Sequence, residues 1–225
     1  MAEAAARRRR ARRGWLLAPL AACALLAGCS SSPAAPTVTV VGDQVTAAAR
    51  TQIDGVLHPP YSPQFVVRAT GRIDGLSALL RDSLASTGTA KVVLANMGTN
   101  DALHPRTSAT SGPLLAPLVS STAGVACVVL TTVNVRADQP GGGSVAVRVN
   151  REIKTLALSD PRRYKVVDWN YFLATLPAPS VSTYLQADGI LPTGAGAHWL
   201  ATADLAGVHA CGTRHQPTVL GPNRA

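Results

Sequence analysis

The sequence predicts an α/β fold in which parallel strands are covered by helices on both faces. Three observations carry this. Short runs rich in β-branched residues recur along the chain, helix-length segments separate them, and no internal repeat is visible. Strands that alternate with helical segments imply βαβ units and a parallel sheet buried on both sides.

Each element is legible in turn. Thr37 to Val41 (TVTVV) is a short apolar run with the character of a buried strand. Val45 to Leu57 follows as a helix that must stop before Pro59-Pro60, because the residue preceding a proline is driven out of the helical region. Phe65-Val66-Val67 is the second strand, and Ile73 to Leu84 carries apolar residues at helical spacing. Lys91 to Met97 (KVVLANM) is the third strand, Leu114 to Ala123 a helix, and Val125 to Val133 (VACVVLTTV) a long fourth strand. Gly141-Gly142-Gly143 marks a loop; no strand leads directly into it and no lysine follows, so it does not read as a phosphate cradle. Val145 to Leu158 is the next helix, Tyr164 to Val167 the fifth strand, and Thr193 to Ala206, after Pro192, the closing helix. An open sheet of this kind places its site at the carboxyl ends of the strands.

The residues at those ends are specific. Gly42-Asp43-Gln44 follows the first strand, Gly71 the second, and Gly98-Thr99-Asn100-Asp101 the third. Asp188-Gly189-Ile190-Leu191-Pro192-Thr193 precedes the last helix. In this order and spacing they resemble the four blocks of the SGNH (GDSL-type) hydrolases, above all the acyltransferase-associated and actinobacterial secreted branches, where the blocks read GDS, a glycine, GxND and DGxHpT. Asn150-Arg151-Glu152 and Val167-Asp168-Trp169 are also similar to segments of that branch. The resemblance covers nearly all of residues 37 to 206. It implies a three-layer, flavodoxin-like sandwich on a five-stranded parallel sheet, with no cofactor and no metal.

In that family a serine attacks, a histidine removes its proton, and an aspartate orients the histidine. Backbone and asparagine N–H groups stabilise the oxyanion. Here Gly71, Asn100 and the backbone of Gln44 match the oxyanion donors, and Asp188 matches the orienting carboxylate. The serine position holds Gln44 and the histidine position Leu191. A carboxamide is not a competent nucleophile and leucine accepts no proton, so the family's mechanism cannot run through these residues. Thr46, two residues beyond the nucleophile position, and His104, just past the third block, are the weak substitutes; His198 belongs to the last helix, and His58, His209 and His215 have no motif. Asp43 is expected to shape its turn, and Asp188 to cap the last helix or hold a cation. The resemblance implies an inactive hydrolase-like domain that binds an envelope ligand, an acylated sugar or a cell-wall glycan. The alternatives are a weak esterase with a relocated nucleophile and a structural envelope protein with a vestigial cleft.

The first 28 residues have the layout of an export signal. Six arginines between Arg7 and Arg13 precede an apolar run, Trp15 to Ala27, that is too short to span a bilayer comfortably. The run ends in Leu26-Ala27-Gly28-Cys29, which resembles the bacterial lipobox, and Ser30-Ser31-Ser32-Pro33-Ala34-Ala35-Pro36 follows as a polar tether. The expected organisation is therefore a lipoprotein signal (1–28), a tether (29–36), a hydrolase-like domain (37–210) and a tail (211–225). Lipid on Cys29 would hold the domain on the outer face of the cell membrane. An ordinary signal peptide is the other reading, and Arg12-Arg13-Gly14-Trp15-Leu16-Leu17 leaves both export routes, Sec and twin-arginine, open.

Without residues 1–28 the chain keeps 15 basic and 11 acidic residues, a net charge of +4 rather than the +9 of the whole sequence. The basic balance thus gives no support for nucleic-acid binding, and aromatic residues are too sparse for base-stacking platforms. Eighteen arginines against three lysines, with abundant alanine, point to a GC-rich genome such as an actinobacterium's. Cys127 and Cys211 are the two cysteines left to the folded domain. Outside the cytoplasm they can pair or remain separate thiols. No CxxC or His/Cys cluster suggests a metal site.

Overall fold

The computed structural model describes residues 35–88, 90–106, 112–138 and 144–216. The export signal, Cys29, the Gly141–Gly143 loop and residues 217–225 lie outside the described residues. The chain runs β1 (Thr37–Gly42), α1 (Gln44–Leu57), β2 (Ser62–Val67), α2 (Ile73–Thr87), β3 (Val92–Asn96), α3 (Thr99–Leu103) and α4 (Ala116–Ser121). It continues through β4 (Cys127–Thr131), a 3-10 turn (Val135–Ala137), α5 (Val145–Ser159), β5 (Tyr164–Val167), α6 (Trp169–Thr175), α7 (Ala178–Tyr184) and α8 (Gly194–His209). All five strands are parallel, in the order β2-β1-β3-β4-β5. The predicted three-layer, five-stranded parallel sandwich is the fold observed.

Alternation along each strand sends side chains to two cores. Val38 and Val40 of β1, Leu94 of β3 and Val129 of β4 pack under α1, α6 and α8. Val41, Val93, Ala95, Val128 and Leu130 face α2, α4 and α5. The fourth strand is shorter than its apolar run suggests. Its ladders with β3 and β5 span only Cys127 to Thr131, after which Thr132 N–H donates a last bond to the Val167 carbonyl and the chain turns away. α1 ends as expected: His58, before Pro59, is extended and its N–H caps the Asp54 carbonyl.

Packing continues past α8. Cys127 and Cys211 form a disulfide, with Cα atoms 5.7 Å apart, that ties the start of β4 to the chain after α8. The fully buried Lys165 then donates from Nζ to the carbonyls of Pro161, Thr213 and His215, the last at 2.9 Å. Residues 211–216, exposed from Gly212 to Gln216, are thus fastened to the domain by the disulfide and by Lys165. Among the described residues no helix is long and apolar enough to cross a membrane.

Candidate functional site

The strand order reverses between β1 and β3, which lie side by side while the chain leaves β1 for β2 on its other flank. Loops diverge above such a point and leave a crevice. Gln44 stands there as the first residue of α1, with Thr99 and Asn100 opening α3 beside it. The 188–192 turn leads into α8, which packs along α1.

Asp43 joins the first and third blocks. It is fully buried and caps α1, its Oδ1 accepting the Val45 N–H at 3.1 Å and its Oδ2 the Thr99 N–H at 2.9 Å. Its own N–H donates to the Asn96 carbonyl. Burial pushes its carboxyl up to about 6, against the pull of the two amides. The turn role expected of Asp43 is the one it has.

The second block is closed upon itself. Gly71 N–H donates to the Arg68 carbonyl at 2.7 Å, and Asn100 Nδ2 donates to the carbonyls of Ala69 (2.6 Å) and Gly71 (2.9 Å). A Cβ on Gly71 would sit 2.7 Å from the Leu76 side chain and 2.8 Å from the Arg68 carbonyl, so only glycine fits this turn. Gly98, at φ +115°, supplies the left-handed residue that starts α3. Asp101 completes the join: its Oδ2 accepts the Ile73 N–H at 2.9 Å, and its Oδ1 lies 3.2 Å from Arg72 Nε. Gly71 and Asn100 are therefore brought together, with the Asn100 amide bonded into the Gly71 loop. Of the three groups that match oxyanion donors, the Gly71 N–H and the Asn100 amide are spent inside the protein.

The fourth block holds no base. Asp188 is exposed, and its Oδ1 accepts the N–H groups of Ile190 (2.9 Å) and Leu191 (3.0 Å) within its own turn. It does not cap α8; Thr193 does, accepting the Gly196 N–H. Among the described residues no group of three or more His, Cys, Asp or Glu side chains is placed to hold a metal ion. Leu191 packs partly buried against the α1/α8 core. Asn134 Nδ2 fixes the turn from β4 through the Gly189 carbonyl at 2.9 Å.

The substitutes contribute nothing to this site. Thr46 is fully buried and donates to the Asn96 carbonyl. All five histidines are exposed, and none hydrogen-bonds Asp188. Sequence reasoning missed Asn134, which caps the 3-10 turn through the Arg136 N–H and reaches the distant Gly189 carbonyl, and missed what Asn150 does. Asn150 brackets Val133, accepting its N–H at 2.7 Å and donating to its carbonyl at 2.8 Å, which holds the end of β4.

Solved structures share this architecture. A lipolytic protein of the G-D-S-L family from Veillonella parvula superposes with a TM-score of 0.61 at 19% identity, over 76% of this chain and 97% of that one. The chain has the SGNH-hydrolase fold. The C-terminal catalytic domain of the peptidoglycan O-acetyltransferase of Streptococcus pneumoniae aligns with this chain at a TM-score of 0.62 and 16% identity, over 78% and 93% of the two chains. A catalytic mutant of an acetylxylan esterase from Geobacillus stearothermophilus does so at 0.59 and 17%, over 81% and 98%. Catalytic mutants of that esterase carry alanine in place of an aspartate, of a histidine three residues further on, and of a serine. This chain has an aspartate and a leucine at the same three-residue spacing, Asp188 and Leu191. No family model matches the sequence, and neither does any curated protein.

Proposed function

We propose that this chain is an exported lipoprotein, anchored through Cys29, whose SGNH-type domain binds an envelope ligand without turning it over. The observation that carries the reading is the pair Gln44 and Leu191 at the nucleophile and base positions. The hydrogen bonding supports it. Asn100 Nδ2 and Gly71 N–H are engaged by backbone carbonyls, and Asp188 by its own turn. In serine hydrolases whose nucleophile and base act as a unit, losing either lowers turnover by on the order of 10⁶. The Gln44 N–H still opens a helix, where the first N–H groups have no intrahelical partner and favour an electronegative ligand atom. The ligand class is an acylated sugar or cell-wall glycan. The likeness to a peptidoglycan O-acetyltransferase domain and to an acetylxylan esterase supports that choice.

The test is enzymatic. Purified domain is given short-chain aryl esters and a fluorophosphonate probe, beside a Gln44→Ser/Leu191→His double variant. The wild type is expected to show neither turnover nor labelling. Turnover by the wild type that a single substitution abolishes would overturn the reading in favour of an unconventional esterase. Titration with O-acetylated chitooligosaccharide, followed by amide NMR, should shift the Gln44 and Leu191 signals. Unmoved signals at millimolar ligand would remove the glycan assignment. A Cys29→Ser chain is expected to leave the membrane fraction, and a chain that stays there would refute the anchor.

A further inference from the structure

The five-stranded sheet has two outer strands, β2 and β5. An outer strand presents a row of backbone N–H and C=O groups with which another chain can pair. The ladders show which groups these are. Ser62 and Arg68 donate their N–H groups to the carbonyls of Pro36 and Gly42 on the β1 side. Alternation along a parallel ladder therefore turns the backbone groups of Pro63, Phe65 and Val67 outward. Pro63 has no N–H to offer, which blunts that edge. At the other edge the carbonyls of Arg163 and Val167 accept from Val128 and Thr132, so Tyr164 and Val166 turn theirs outward.

These outward groups are taken by one side chain. Gln216 lays its carboxamide across them: Oε1 accepts the Val166 N–H at 3.1 Å, and Nε2 donates to the Tyr164 carbonyl at 3.2 Å. In a parallel sheet, a residue of the neighbouring strand donates to one carbonyl and accepts from the N–H two residues further on. A carboxamide carries the same donor and acceptor. The Gln216 side chain thus stands in for one residue of a sixth parallel strand, centred on Lys165.

Lys165 also places it. Its buried Nζ lies 2.6 Å from the Thr213 carbonyl and 2.9 Å from that of His215. A buried ammonium is costly unless its donors are satisfied, so Lys165 and this segment hold each other. The disulfide fixes the segment at Cys211, and Thr213 Oγ1 donates to the Ala210 carbonyl. Residues 212–216 are exposed, so apolar burial does not account for their course across β5. The hydrogen bonds to Lys165, Tyr164 and Val166 do.

We infer that residues 211–216 are an edge guard, in which the Gln216 carboxamide takes the place of a sixth strand and keeps β5 from pairing with the β5 edge of a second copy of this chain. Symmetry favours that partner. Two such edges meeting antiparallel about Lys165 would pair Tyr164 of each with Val166 of the other, through the same groups that Gln216 occupies.

The test uses the chain from Ala35 onward, a compact unit apart from residues 1–34. In amide exchange followed by NMR, Gln216→Leu should speed exchange of the Val166 N–H roughly tenfold or more. The N–H groups of Lys165 and Val167, which face β4, should keep their protection. A chain ending at Gly212 should form a dimer whose fraction rises with concentration in analytical ultracentrifugation, and in that dimer the Val166 N–H should be protected again. Val166→Pro in the shortened chain removes the outward N–H, as Pro63 does on β2, and should restore the monomer. Unchanged Val166 exchange in Gln216→Leu would overturn the inference. So would a shortened chain that stays monomeric, or one that associates while its Val166 N–H exchanges freely.

Discussion

The carboxylate of Asp43 accepts the backbone N–H of Thr99 at 2.9 Å, across 56 residues of sequence, while its other oxygen caps α1. One buried side chain thus sets the distance between the loop after β1 and the loop after β3. Asp43→Ala leaves two buried N–H groups unpaired, and a loss of about 2–4 kcal/mol is expected. Urea denaturation measures it; a loss under about 0.5 kcal/mol would mean the loops hold without it.

Asp204 has no role in the cleft, yet among the described residues no carboxyl is shifted further. It is fully buried in α8, bonded from Thr131 Oγ1 at 3.3 Å, and burial pushes it up to about 8. The folded state therefore holds its proton far more tightly than the unfolded chain, whose value is 3.8. Its contribution to stability is complete below pH 4 and is lost progressively as pH rises through about 8. Asp43, raised to about 6, acts with the same sign over a narrower window. The expected outcome is that Asp204→Asn gains on the wild type as pH rises from 5 to 9, by on the order of a few kcal/mol. Thermal melts across that range test it, and parallel profiles would show that Asp204 ionises freely.

Much of the fold was legible because strand and helix signals are local. β1, β3 and β4 are runs of valine and leucine, and α1, α2, α5 and α8 have apolar residues at helical spacing. Of the short helices only α4, within the predicted Leu114 to Ala123, was legible. α3 has five residues, and α6 and α7 have seven each, one opened by the Asp168 cap and the other by Pro179 in its first turn. At that length neither pattern nor propensity decides. The four blocks of the site could be read from the chain, but their hydrogen bonding could not. Asn100 matches a catalytic donor by motif, and only the path of the 68–71 loop directs its Nδ2 to Ala69 and Gly71. Asp188 likewise has a signal for helix capping, and Thr193 is the residue that caps.

The end of the domain depends on two fasteners that should act together. The Cys127–Cys211 disulfide joins residues 84 apart in sequence, a constraint worth up to about 4.5 kcal/mol on chain-entropy grounds. Lys165 Nζ then gathers three carbonyls, two of them from Thr213 and His215. Lys165→Met should cost about 2–3 kcal/mol by leaving those acceptors unpaired. In a double-mutant cycle, Lys165→Met combined with Cys127→Ala/Cys211→Ala should cost less than the two losses added together. Once the disulfide is gone, residues 213–215 are held less firmly for Lys165 to bind. Strict additivity in chemical denaturation would show that the two act independently.

Asn100 separates a structural residue from a catalytic one. Were its amide held ready for an oxyanion, Asn100→Ala would abolish turnover and leave stability nearly unchanged. In this domain Nδ2 already bridges Ala69 and Gly71, so the substitution should cost about 1–3 kcal/mol by itself. In the Gln44→Ser/Leu191→His background the same change can be read twice, as a melting temperature and as ester turnover. The loss of stability should match that of the wild-type background, because Nδ2 serves the same two carbonyls in both. Any turnover the double variant acquires should fall by less than about tenfold, well short of the 10²–10³ expected for a true oxyanion donor. A larger fall in turnover at unchanged stability would mean that Asn100 swings free of the 68–71 loop and is available to a substrate.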